Sequence, residues 1–111
     1  MKTIKEYADL IMEYKTSPPH LADIMLEMSA KYGMMSEIAK DLQLEKAEFE
    51  TNIKFKGDKP LSDRAVESQW LMTEGGKKEI RLKYELRALE KMMSAIKSST
   101  VISSQEAKNM Y

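Results

Sequence analysis

The chain has 111 residues, 42% of them apolar and 32% charged, with 18 basic side chains balanced by 18 acidic ones and no cysteine. That composition describes one small foldable domain and excludes a strongly disordered polymer, disulfides and thiolate metal sites. No apolar run approaches the ~18 residues of a membrane span. The charge is unevenly placed: residues 1–53 hold six lysines against ten acids, and residues 54–97 hold eleven bases against seven acids. A basic second half is one surface able to attract a polyanion.

In chain order, Ile4, Tyr7, Ala8, Ile11 and Tyr14 fall on one face of a short helix over residues 3–15. The segment TSPPH stops it. Ser17 is placed to cap the next helix, whose first turn accepts Pro18 and Pro19. A long helix is predicted over residues 18–54. Its apolar seam reads Leu21, Met25, Met28, Tyr32, Met35, Ala39, Leu42, Lys46, Phe49 and Ile53, with Lys46 the one interruption and Gly33 a point where the helix can bend.

A polar corner over residues 55–61, with Gly57-Asp58 and Pro60 as turn residues, precedes Ser62 or Asp63 as a cap. A second long helix is predicted over residues 62–97. Its seam is Leu82, Leu86, Leu89, Met93 and Ile96, weakening backwards through Glu79 and Gly75. The serines after Lys97 stop the rhythm, and a last short helix is placed over residues 103–110. The expected fold is therefore all-α: a long antiparallel helical hairpin with short N- and C-terminal helices. A short connection between two long helices favours that arrangement.

No catalytic signature accompanies this plan, and a non-enzymatic protein is expected. TEGGKKEI lacks the spacing of a phosphate-binding glycine loop and follows no strand. It reads instead as a joint, where a missing side chain at Gly75 admits a bulky neighbour such as Trp70. His20, the lone histidine, has no partner for zinc, so neither metal nor cofactor is expected. The candidate polyanion site comprises Lys54, Phe55, Lys56 and Lys59 at the corner and Lys77, Lys78, Arg81, Lys83, Arg87 and Lys91 on the second long helix. Lysine and arginine meet phosphates while an aromatic stacks on bases. Met25, Met28, Tyr32, Met35, Leu82, Leu86, Leu89, Met93 and Ile96 serve either as the core or as an oligomer or partner interface.

The segment GGKKEIRLKYELRALEKMMSAIKSSTVISSQEAKNMY resembles the phage recombination mediator family of the UvsY type. Lys77 or Lys78 matches the lysine that opens the family's helical block, and Tyr84 its mid-helix aromatic. Ile96, Lys97 and Ser98 match the late isoleucine-lysine passage, Ile102 the isoleucine after it, and Tyr111 the aromatic of the terminal helix. Ser99 stands where the family has arginine, and the glycine pair stands where acids are usual. The resemblance implies a cytoplasmic accessory factor (in the host cytoplasm if phage-encoded) that binds single-stranded DNA and forms a homo-oligomer. It implies a recombinase and a single-strand-binding protein as partners and no membrane. The alternative is a helical protein–protein interaction or assembly protein, such as a phage-encoded inhibitor of host defence.

Overall fold

The computed structural model describes residues 2–109, and side chains for residues 2–99. Over that span the chain is all-α, with four helices and no strand: α1 (Ile4–Glu13), α2 (Pro18–Lys54), α3 (Asp63–Leu71) and α4 (Glu74–Asn109). Among the described residues no helix is long and apolar enough to cross a membrane. The chain divides into two compact units, one formed by the chain up to Met34 together with the chain from Glu85, the other by Met35–Tyr84.

In the first unit, Thr3 caps α1 by accepting a hydrogen bond from the Glu6 amide at 3.2 Å. Its one buried residue, Tyr7, enters the core that Leu21, Ile24 and Met28 of α2 form with Leu89 and Ile96 of α4. Tyr14 stacks on His20 across the α1–α2 connection, 4.4 Å between centroids, and Ser17 hydrogen-bonds the imidazole. Lys31 donates to the Lys2 carbonyl at 2.6 Å, and Lys2 pairs with Glu27 at 3.1 Å, tying the start of the chain to α2. Toward α4, Ser29 donates to Met93 at 3.5 Å and Tyr32 donates to the Glu90 carboxylate.

In the second unit, Met35 and Leu42 of α2 share a core with Val66, Trp70 and Leu82. The two polar seam positions meet one another: Lys46 lies 3.7 Å from Glu79, and Gln43 donates to the same carboxylate at 3.0 Å. Ser62 caps α3, accepting from the Ala65 amide at 3.2 Å.

The single helix expected over residues 62–97 is two helices, separated at Met72 and Thr73. Thr73 is the cause. Its backbone N–H and its hydroxyl both donate to the Trp70 carbonyl, at 3.0 and 2.6 Å, and its oxygen accepts from the Gly76 amide at 3.1 Å. One side chain thus closes α3 and starts α4. The glycine pair lies just inside α4, where the backbone turns back on Trp70. A Cβ at Gly76 would stand 2.0 Å from the Trp70 carbonyl oxygen, and one at Gly75 2.7 Å from the indole ring. Neither glycine has positive φ, so close approach is what requires them.

A separate helix over residues 103–110 is not seen, because α4 continues to Asn109. Serine lowers helix propensity but keeps its backbone donor, so it does not end a helix as proline does. Met110 and Tyr111, and the side chain of Ile102, lie outside the described residues. At Gly33 α2 runs on uninterrupted, with open space around the position.

These contrasts set opposite signs for one substitution. Gly33→Ala is expected to stabilise the protein by about 1 kcal/mol through helix propensity. Gly76→Ala is expected to destabilise it by roughly 1–3 kcal/mol, because the clash is with backbone. Urea unfolding midpoints of the two variants check both. The Glu90 carboxylate that accepts from Tyr32, helped by local desolvation, raises the phenol's pKa above its ordinary 10.0. A raised pKa means the folded state holds the proton, so this contribution is complete below the ordinary value and is lost as pH rises through the raised one. Glu90→Gln should return the Tyr32 titration, followed by ring-carbon NMR, toward the ordinary value.

Candidate nucleic-acid interface

The bases of α4 sort by helical register. At 3.6 residues per turn, Lys77, Arg81, Arg87 and Lys91 fall within an arc of roughly 120°, which also carries Ile80, Tyr84 and Ala88. In the second unit Lys77, Ile80, Arg81 and Tyr84 are all exposed, Tyr84 at 67%. In the first unit Arg87 and Lys91 of α4 are both exposed. Lys78 and Lys83 lie outside the arc, on opposite flanks of the buried stripe.

Of the four interleaved acids, Glu79 and Glu90 lie well off the arc, Glu85 lies toward the buried stripe, and Glu74 stands at the edge of the arc. Glu79 points to Lys46 and Gln43, Glu90 accepts from Tyr32, and Glu74 pairs with Lys77 at 3.6 Å. Glu85 flanks the buried stripe with Lys78. Among the described residues, Arg81, Arg87 and Lys91 make no ion pair. The face therefore presents cations with an aromatic and small apolar groups between them.

The corner is arranged differently. Lys54 is half-buried and bound to Asp63 at 3.0 Å, so its charge is already met. Lys56 and Lys59 are exposed and unpaired among the described residues, and Phe55 is 67% exposed. No hydrogen bond or ion pair among the described residues joins this corner to the α4 bases. An open cleft of about 480 Å³ lies between the last turns of α2 and the start of α3, with Phe55, Lys54, Glu50, Thr51 and Glu67 in its walls.

The nine seam residues are where the interface expectation changes. Met28, Met35, Leu82, Leu89 and Ile96 are buried within the chain itself, and Met25, Tyr32, Leu86 and Met93 are half-buried. The five buried residues belong to the two cores, and the four half-buried ones keep part of their surface exposed. The exposed large apolar groups include Met72 at 78%, Leu26, Met34, Leu44 and Met12. No group of three or more His, Cys, Asp or Glu side chains converges among the described residues.

Sequence reasoning missed the cleft and the separation of the α4 bases into one face and two flanks. A helical wheel of residues 74–91 contains the second signal. The cleft had none, since α2 and α3 contribute its walls from either side of the corner. No protein-family model, no curated protein and no solved structure matches this chain, so its functional reading rests on the geometry described above.

Proposed function

We propose that the protein is a non-enzymatic single-stranded DNA-binding protein of the recombination-mediator type, built on a long antiparallel hairpin of α2 and α4. The observation that supports this reading is the run of exposed bases on α4, Lys77 and Arg81 beside Tyr84 in the second unit and Arg87 and Lys91 in the first. A flexible polyanion can follow such a stripe. Phosphates meet the cations, and an unstacked base lies on the phenol ring at little sequence cost.

In this role the bound strand is held along α4 while a homo-oligomer of the chain, in the cytoplasm, gathers several such faces. A recombinase then replaces the single-strand-binding protein on that strand. The mediator step rests on the family resemblance, and strand binding rests on the α4 face. The second reading, a protein-interaction or assembly module, draws on the exposed Met72, Leu26 and Met34.

Titration of a fluorescent single-stranded oligonucleotide at two salt concentrations tests the primary reading. Binding should weaken steeply with salt, and Arg81→Ala with Arg87→Ala should lower the log–log salt slope by about 1.4, two contacts at ~0.7 each. Tyr84→Ala should weaken binding by about 1–3 kcal/mol with the slope unchanged, since stacking releases no counterion. Absence of binding at low salt would remove the DNA reading and leave the protein-interaction one.

A further inference from the structure

We propose that the cleft beside Phe55 is a nucleobase pocket that selects bases carrying an exocyclic amine over thymine. The inference rests on the single-strand reading above and adds a selectivity to it. The cleft lies within the second unit, and its volume of about 480 Å³ is in the range of small-molecule sites, roughly 300–1,000 Å³.

The polar side chains lining the cleft divide into matched and unmatched groups. The cations of the cleft are matched in charge by carboxylates: Lys54 pairs with Asp63 at 3.0 Å, and Lys46 lies 3.7 Å from Glu79 and 4.0 Å from Glu50. The Thr51 hydroxyl spends its proton on the Ala47 carbonyl at 2.9 Å, which leaves only its lone pairs. Glu67 makes no ion pair or hydrogen bond among the described residues. An ionised carboxylate accepts and cannot donate. The one lining carboxylate without a counter-charge among the described residues is therefore that of Glu67, an acceptor for a guest beside an apolar wall from Val66 and an exposed phenyl ring at Phe55.

A flat guest that fills such a site must bring N–H donors on its edge. Cytosine and adenine each present an exocyclic amine, and guanine presents two adjacent donors that match one carboxylate. Thymine presents a single N–H between two carbonyl oxygens, and both oxygens are turned toward the carboxylate when that N–H binds. Lys56 and Lys59, exposed on the same corner, suit the phosphates that flank the base. They also disfavour a cationic guest such as an arginine side chain from another protein.

The test compares dodecamers of deoxycytidine and thymidine, two pyrimidines of similar stacking, bound to the full chain in slightly alkaline buffer. The cytidine strand is expected to bind about fivefold more tightly or better, the lower range for one base-edge contact. Glu67→Gln, an exposed change that leaves the core untouched, should bring the ratio close to one, because an amide both donates and accepts. Glu50→Gln provides the same readout from the other wall. Equal binding of the two strands by the unsubstituted protein, with DNA binding intact, would overturn the pocket and leave the α4 face standing. Binding of neither strand would overturn both. Preferential displacement of the cytidine strand by an arginine-rich peptide, abolished by Glu67→Gln, would assign the cleft to a protein guest instead.

Discussion

A helix as long as α2, 37 residues with an apolar stripe along one side, is not stable alone in water; the stripe has to be covered along its length. The chain meets this requirement from within. In the first unit Tyr7, Leu89 and Ile96 lie over Leu21, Ile24 and Met28, and in the second Val66, Trp70 and Leu82 lie over Met35 and Leu42. With the inner faces committed, the composition of the outer faces is free to serve something else, and on α4 it is basic and aromatic. The paired interruption of the stripe, Lys46 against Glu79, adds little net stability at its partial exposure but sets register. A slip by one helical turn would place each charge against an apolar neighbour.

The regular parts of the fold were legible because they depend on local rules. The prolines at 18 and 19 suit a helix start, and α2 begins there. The Gly57 to Pro60 stretch is unsuited to helix, and α2 ends before it. The Ser62 cap follows from side-chain chemistry alone. The glycine pair was legible in kind, since a bare backbone beside a tryptophan implies close approach. The break at Thr73 was missed although its signal is local: a threonine three residues ahead of Gly76 is placed as an N-cap, and its hydroxyl reaches back three residues to the Trp70 carbonyl. The serines near the C-terminal end were over-read as a stop.

Less of the candidate site was legible. Ten residues could be chosen by charge and aromaticity, but charge along a sequence does not give the direction a side chain takes. Lys54 is drawn to Asp63 and Lys78 and Lys83 flank the core, whereas Arg81, Arg87 and Lys91 are each exposed without an ion pair among the described residues. The seam residues showed the opposite ambiguity: an apolar stripe looks the same whether its cover comes from the same chain or from another. Met28, Met35, Leu82, Leu89 and Ile96 are covered by the same chain, while Met25, Tyr32, Leu86 and Met93 remain half-buried.

Trp70 is the sole tryptophan, lies 1% exposed beside Phe49 at 5.6 Å, and carries an indole N–H with no acceptor among the described residues. An indole in so dry a setting emits at short wavelength when excited, and it shifts to the red once water reaches it. Because it belongs to one unit only, that colour reports the state of the Met35–Tyr84 unit without interference from the rest of the chain. The residue around which the α3–α4 joint closes thereby gives this half of the protein an optical signal of its own.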